Sequence, residues 1–470
     1  MKDTINENVV YLSIGTGKKL FNALGKAEAN YCNKKVFSGL KNIFSLAGWD
    51  KENINNKFWN PLGEIIKPGD YVLMKPNWVS HENKSGNDLD CLVTNAHVIK
   101  NIIDFVIRAT PARIVIGDAP VQGCDIRALF KKAGYEVLVE YYDNKNYPYI
   151  EWKDFRTKSS VKDNRISDSF LYNATDSILF NLGEESLLEP ISKDYKNFRV
   201  TMYDPALMTE VHRPGKHLYS IARDAIEANV IINLPKLKTH KKAGISAAIK
   251  NFIGVNTDKD YLPHHRKGGS KRGGDCYPGN NVFKSISELL LDLSNSPSGI
   301  LSLFYSFGAT FSYFIARATG EDNNLEGNWY GNDTIWRTCL DINRIIMYGK
   351  PDGTLAEDQQ RKILTITDAI ICGEGEGPLA PSPYPLGIVT MSMNQVAADY
   401  VHAYLMGYDW QKIHIIREGF EKIKYPLTNF GPEDVEINTN GNIIKQPWPP
   451  ITWRPFLAPK GWRGHCERLE

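Results

Sequence analysis

Short apolar runs recur along the chain from residue 71 onwards, and each is bounded by Gly, Asp or Pro. Because these runs are rich in Val and Ile and do not alternate with polar residues, they predict strands that are buried on both faces. The predicted strands are Tyr71–Met74, Arg113–Gly117, Val230–Leu234, Ile363–Ile366 and Gly387–Thr390.

Segments with the periodicity of helices separate these runs. An alternating order of strands and helices predicts an α/β fold, with a mostly parallel sheet, helices on both of its faces, and loop or helix insertions. The predicted helices are Asn95–Ala109, Asp125–Ala133, Leu218–Ala228, Thr334–Met347 and Asn394–Met406.

The same pattern predicts the domain organisation. Residues 71–410 form the α/β core, with insertions at about 141–196 and 261–325. Residues 1–70 are an N-terminal extension. Residues 411–470 are a C-terminal extension that we expect to pack on the core, because Pro and aromatic residues alternate from Gln446 onwards.

Composition narrows the class of protein. The net charge is only +2, with 56 Lys and Arg against 54 Asp and Glu, so no nucleic-acid partner is expected from global charge. The 7 cysteines are scattered and contain no C-x-x-C motif, so no disulfide framework and no iron–sulfur cluster is expected. The N-terminus lacks the pattern of a signal peptide, and these features together predict a cytoplasmic protein.

Residues 300–316 form an uncharged stretch. This stretch is shorter than the roughly 20 apolar residues that span a membrane, and serines interrupt it. A buried or partner-facing helix is one interpretation. The other is a peripheral membrane contact, or a helix that lines the path of a lipid-like substrate.

Ligands of open α/β sheets bind beyond the carboxyl ends of the strands, where this chain has ionisable and amide groups. Lys75 and Asn77 follow the first predicted strand, Asp118 the second, the segment 233–240 the third and Asp368 the fourth. If the strands share one sheet, these groups meet in one site.

The segment 236–276 carries the strongest signal, with ten Lys and Arg against three acids. A solvated basic loop is the plainer interpretation for its later part. The first cations abut apolar residues, where an unpaired charge is costly, and they favour an anionic ligand. Lysines near one another lower each other's pKa, which suits a proton acceptor, a covalent attachment point or an anion clamp. The predicted catalytic residues are His240, Lys250 and Lys238, and the predicted binding residues include Lys75, Asn77, Lys236 and Asn251.

Three acids admit two interpretations. Asp118, Asp368 and Glu374 either balance the lysines or hold a divalent metal. Gly377 closes a glycine-rich stretch that would let backbone amides approach a ligand. Arg337 shares a predicted helix face with acids four residues away, as either a binding residue or a member of surface ion pairs.

Together, these motifs resemble the family known as domain of unknown function number 362. The resemblance covers roughly residues 71–407, and its name implies no reaction. The motifs are Lys75-Pro-Asn77, Gly117-Asp118, Asn233 to His240, Lys250-Asn251-x-x-Gly254, Asp368-Ala-Ile370 and Glu374-Gly-Glu-Gly-Pro378.

A shorter segment resembles a second family. The spacing His240-x-x-x-Gly244-x-Ser246-x-x-x-Lys250 is similar to part of the nickel-pincer lactate racemases, in which a His and a Lys hold a nickel-bearing nucleotide. This resemblance implies a cofactor-dependent isomerase or oxidoreductase.

Three functions remain open from the sequence. The first is an enzyme that acts on a small phosphate- or carboxylate-bearing metabolite through a Lys/His/Asp site, with an unknown cofactor that includes the possibility of a divalent metal. The second is the cofactor-dependent enzyme. The third is a non-catalytic binder of an anionic polymer or lipid head group.

Overall fold

The computed structural model describes residues 6–14, 31–147, 149–157, 171–172, 176–200, 205–295, 308, 315 and 325–468. Only two residues of the uncharged 300–316 stretch, Gly308 and Ile315, are among them, so the predictions for it lie outside the described residues. The strands are β1 Val9–Ile14, β2 Tyr71–Pro76, β3 Arg113–Asp118, β4 Ile150–Asp154, β5 Leu171–Tyr172, β6 Ser177–Asn181, β7 Phe198–Arg199, β8 His212–Arg213, β9 Lys216–Ala222, β10 Val230–Leu234, β11 Lys236–His240, β12 Gly244–Ser246, β13 His265–Arg266, β14 Lys362–Glu376, β15 Ala380–Ser392, β16 Glu436–Thr439 and β17 Asn442–Ile444. The α-helices are α1 Asn33–Leu46, α2 Ala96–Arg108, α3 Ile126–Lys132, α4 Tyr135–Asn144, α5 Pro205–Val211, α6 Arg223–Glu227, α7 Ala248–Asn251, α8 Val282–Asn295, α9 Ile335–Tyr348, α10 Gln395–Met406 and α11 His414–Arg417.

One large sheet organises the described residues. Its strand order is β17-β16-β1-β15-β14-β10-β2-β3-β4-β5, with β11 and β12 attached beside β14. The six strands β14, β10, β2, β3, β4 and β5 are parallel to one another. β15, by contrast, is antiparallel to both β14 and β1. The fold is therefore α/β, with a mostly parallel sheet, as the sequence predicted.

Alternation along the strands divides the core between the two faces of the sheet. Leu73, Val115 and Ile231 enter one apolar cluster, while their neighbours Val72 and Ile114 enter the other. This follows from the period of two along a strand. Helices α1 to α4 pack in the second cluster, and α9, α10 and aromatic residues of the C-terminal segment pack in the first.

Three details differ from the predicted elements. Residues 218–222 belong to strand β9, and only Arg223–Glu227 are helical, because β9 pairs with the distant strand β6. The predicted strand at 387–390 is part of the antiparallel strand β15. The segment 150–154, within a predicted insertion, is β4 of the main sheet.

Both chain ends also contribute to this sheet. β1 pairs with β15 and with β16, so residues from either end extend its edge. Trp448, Trp453 and Trp462 of the C-terminal segment are buried against the first cluster.

Candidate active site

Strands β10 and β11 follow one another along β14 and are separated only by Pro235. Residues 230–233 pair with 362–365, after which Lys236 pairs with Asp368 and Lys238 with Gly373. The segment predicted to follow a strand is thus a strand itself. Because side chains two residues apart share a face, Lys236 and Lys238 point to the same side.

A buried ion pair joins the ends of β2 and β3. The Lys75 Nζ lies 2.8 Å from the Asp118 Oδ1, and both side chains are nearly inaccessible. The other carboxylate oxygen accepts a hydrogen bond from the backbone amide of Trp78 at 2.6 Å. A Cβ atom on Gly254 would lie 1.8 Å from the Asp118 Oδ1, so only glycine leaves room for this pair.

A second buried ion pair joins β11 to β14. The Lys236 Nζ lies 2.5 Å from the Asp368 Oδ2, and both side chains are fully buried. The Tyr31 hydroxyl donates to the other oxygen of Asp368 at 2.7 Å, and the Asn95 amide donates to Oδ2 at 3.0 Å. Burial, with the Asp368 charge, raises the pKa of Tyr31 well above its usual value.

Lys238 lies between these pairs and has neutral partners. Its ammonium donates to the Asn77 side-chain oxygen and to the Leu92 carbonyl. Burial lowers the pKa of Lys238 well below its ordinary value, and the charge of Lys236 lowers it further.

An asparagine network connects the lysines. The Asn251 Nδ2 donates to the Lys75 carbonyl at 3.0 Å and to the Asn233 side-chain oxygen at 2.7 Å. Its Oδ1 accepts from the Asn77 Nδ2 at 2.9 Å and from the Lys75 Nζ at 3.3 Å. Every polar atom of the Asn251 amide group is used inside the protein, so its role here is to hold the other side chains.

Lys250 differs from the other three lysines. Its side chain is buried, with 8% of the residue exposed, yet no described residue forms a hydrogen bond or an ion pair with its ammonium group. Burial lowers its pKa, and the nearby Cys339 offsets this only in part. A buried lysine without a counter-charge is costly to ionise, and a bound anion would offset that cost.

The short helix α7 carries Lys250, and Asp399 of α10 holds its beginning. The amides of Ala248 and Ile249 donate to the two Asp399 oxygens at 2.7 and 2.9 Å. The His402 Nδ1 lies 2.9 Å from the same carboxylate. Asp399 was not among the predicted site residues, although it fixes the helix that presents Lys250.

His240 is a neutral imidazole near this lysine. Its Nδ1 accepts hydrogen bonds from the amides of Lys242 and Ala243 at 3.1 and 3.3 Å, which places the ring proton on Nε2. Burial holds the pKa of His240 well below its usual range, and the charge of Lys250 is the largest electrostatic contribution.

Two further groups belong to this region. The Lys259 Nζ donates to the Ala119 carbonyl at 2.9 Å, and burial, together with the Lys75 and Lys250 charges, lowers its pKa to about 7. Burial also lowers the pKa of His264, with a contribution from Lys250. We call Lys250, His240, Lys259 and His264 the open cluster; Lys259 and His264 were not predicted as site residues.

The remaining predicted residues lie elsewhere or serve other contacts. Arg337 bonds to Asp333 and to the Leu187 carbonyl, and it borders a separate depression of about 380 Å³. Glu374 pairs with Arg454 at 2.8 Å. Gly377 lies against Thr239, where a Cβ would approach the Thr239 carbonyl to 2.0 Å, so its role here is close strand packing.

The carboxylates predicted as metal ligands are engaged by separate cations. Asp118 pairs with Lys75, Asp368 with Lys236, and Glu374 with Arg454. Within the described ranges, no three potential ligands from His, Cys, Asp and Glu come together. The arrangement favours the interpretation in which these acids balance basic residues.

A cavity of about 660 Å³ borders this region without containing its lysines. It is lined mainly by residues between 81 and 95, and also by Lys132 and Ala133. Thr94 and Asn95 separate it from the buried pairs, since they contact the Leu234 carbonyl and Asp368 respectively. The one lysine that lines it, Lys132, is exposed and donates to the His81 carbonyl at 3.3 Å, so the cavity lining holds no buried lysine. No helix in the described parts of the chain has the length and apolarity to cross a bilayer.

Comparisons with known proteins give a family and a distant relative. The "Thylakoid-associated protein sll1697" of Synechocystis is 26% identical over 208 residues, which are 44% of this chain and 46% of that protein, so the chain matches less than half of its length. A solved protein from Thermotoga maritima is similar with a TM-score of 0.32 and 11% identity, over 76% of this chain and 55% of the other.

The family described as "Domain of unknown function (DUF362)" matches residues 72–172 and 173–404. These ranges include the buried ion pairs, the asparagine network and the open cluster. They also confirm the family resemblance of the motifs. The match extends over most of the chain, and the protein therefore belongs to the DUF362 family.

Proposed function

We propose that this protein is an enzyme that acts on a small phosphate- or carboxylate-bearing metabolite at the open cluster. The observation that carries the proposal is Lys250, a buried cation to which no described residue supplies a counter-charge. The desolvation of such a charge costs on the order of several kcal/mol, and a bound anion would offset this cost. Lys236 and Lys75 are poorer candidates, since each already has a carboxylate partner.

His240 supplies a hydrogen-bond donor for the ligand. With its ring proton on Nε2, it would donate a hydrogen bond from that atom to a ligand oxygen. Because two backbone amides already occupy Nδ1, the imidazole has no free site at which to accept a proton, and its part in this proposal is to hold a ligand oxygen.

The proposal is tested by native mass spectrometry and elemental analysis of the purified protein. Wild type, Lys250→Met and the surface control Lys422→Met are compared, first as purified and then after titration with sulfate. We expect wild type and Lys422→Met to hold an anion that Lys250→Met does not hold. Equal binding by Lys250→Met, or no binding by wild type in either state, would overturn the proposal.

A second candidate function is a cofactor- or metal-dependent isomerase or oxidoreductase. The observation that favours it is the electrostatic coupling between His240 and Lys250, the two residues that resemble the lactate racemase segment. The same elemental analysis separates the two candidates. A stoichiometric metal that is lost in Lys250→Met would favour the second, and a metal-free anion would favour the first.

We further propose that the protein works in the cytoplasm. All seven cysteines are free thiols, and six of them are buried. Free thiols persist in a reducing compartment, which supports this location.

A further inference from the structure

Helix α8 exposes five of its apolar residues and buries three of its polar ones. Val282, Phe283, Ile286, Leu289 and Leu293 are each between 38% and 62% exposed. Their spacing of three and four residues places most of them along one stripe of the helix. On the opposite side, Lys284, Ser287 and Glu288 are buried.

Polar contacts fix this orientation. The Gly268 amide donates to both oxygens of Glu288, at 2.9 and 3.2 Å. Asp292 accepts from the Arg199 guanidinium at 2.8 and 2.9 Å and from the Lys267 Nζ at 2.6 Å. Because these charged groups lose their partners if the helix turns, the apolar stripe is held outward.

Cations lie at the beginning of the stripe. Lys271 and Arg272 are exposed in a short 3-10 helix, and the Lys271 amide donates to the Gly279 carbonyl, three residues before Val282. A helix that presents apolar side chains beside basic ones has the chemistry of an interfacial membrane helix. The uncharged residues 300–316 follow α8 in the sequence, and all of them except Gly308 and Ile315 lie outside the described residues.

We propose that the α8 stripe docks the protein on an anionic lipid surface. The five apolar side chains enter the headgroup region, and Lys271 and Arg272 contact lipid phosphates. This inference does not depend on the proposed enzymatic function, because the stripe contains no residue of the open cluster.

Vesicle sedimentation with the full chain tests the inference. Vesicles of phosphatidylcholine alone are compared with vesicles that also contain phosphatidylglycerol. We expect wild type to bind the anionic vesicles, and Ile286→Glu/Leu289→Glu to bind at least about tenfold more weakly. The matched control Val137→Glu/Leu179→Glu adds the same charge at apolar positions exposed elsewhere and should bind like wild type.

Three outcomes would overturn the inference, provided that circular dichroism shows each variant folded. The first is equal binding by wild type and the stripe variant. The second is no binding by wild type together with a dimer that the stripe variant dissociates, which would assign the stripe to a second copy. The third is no binding by a monomeric wild type whose melting temperature falls in the stripe variant, which would assign the stripe to the protein's own chain.

Discussion

Lys236 and Lys250 lie in the same site and have opposite surroundings. Lys236 has a carboxylate at 2.5 Å, a tyrosine hydroxyl and a backbone carbonyl, whereas Lys250 has no described hydrogen-bond or ion-pair partner. Both side chains are buried, so the two lysines differ in their protein partners and not in burial. Only the lysine without such partners would gain a counter-charge from a bound anion.

We expect the largest loss of stability when the ion pair between Lys236 and Asp368 is broken. Asp368→Asn leaves Lys236 without a counter-charge, and we expect the free energy of unfolding to fall by about 3–5 kcal/mol in urea denaturation. The exposed control Asp352→Asn should leave the midpoint unchanged. A stable Asp368→Asn protein would mean that the pair does not neutralise Lys236.

Gly254→Ala tests the second pair by steric means. The new methyl group would enter the space of the Asp118 carboxylate, and we expect a loss of about 3 kcal/mol in the same denaturation experiment. The double variant Gly254→Ala/Asp118→Ala removes the clashing atoms. Its cost should therefore be less than the sum of the single costs, and strict additivity would contradict the packing described.

Asp399→Asn tests whether Asp399 holds helix α7, which carries Lys250 of the open cluster. An amide replaces one of two carboxylate oxygens that accept amides of α7, and we expect a loss of about 1–3 kcal/mol in stability. Sulfate affinity, measured by calorimetry, should also fall, because Lys250 loses its fixed position. Asp409→Asn also changes a helix cap, away from α7, and should keep wild-type affinity.

The smallest expected effect is a pH dependence of anion binding. The Lys259 pKa of about 7 means that its ammonium is present below neutrality and is lost as pH rises. Sulfate, which keeps its charge, should bind about tenfold more weakly at about pH 8 than at about pH 6. Lys259→Arg stays charged and should remove this dependence; an unchanged profile would exclude Lys259 from the site.

The sequence predicted the α/β fold because the buried strands are continuous apolar runs. The sequence placed Lys75, Asn77, Lys236 and Lys238 together only on the condition that their strands share one sheet. In the structure Lys238 contacts Asn77, and Asn251 contacts both Asn77 and Lys75. Local patterns could not distinguish Lys250 from these lysines, since the difference lies in partners that are distant in the chain. Tyr31, for example, is 337 residues from Asp368.

Other site residues had no local signal. Asp399 lies inside a regular helix, and its contact with α7 depends on how that helix packs. Lys259 belongs to a basic segment whose pattern also fits a solvated loop, and in the fold its side chain is half-buried. The sequence left two interpretations open for Arg337, a binding residue or a member of an ion pair on one helix. In the structure Arg337 forms an ion pair with Asp333, four residues earlier.

We propose that Lys250 serves a ligand, whereas Lys75, Lys236 and Lys238 serve the fold. Urea denaturation of wild type and Lys250→Met, each with and without sulfate, tests it most directly. We predict that Lys250→Met is at least as stable as wild type without sulfate, and that sulfate stabilises only wild type. A Lys250→Met protein that is destabilised as strongly as Asp368→Asn, or that sulfate stabilises equally, would contradict the account.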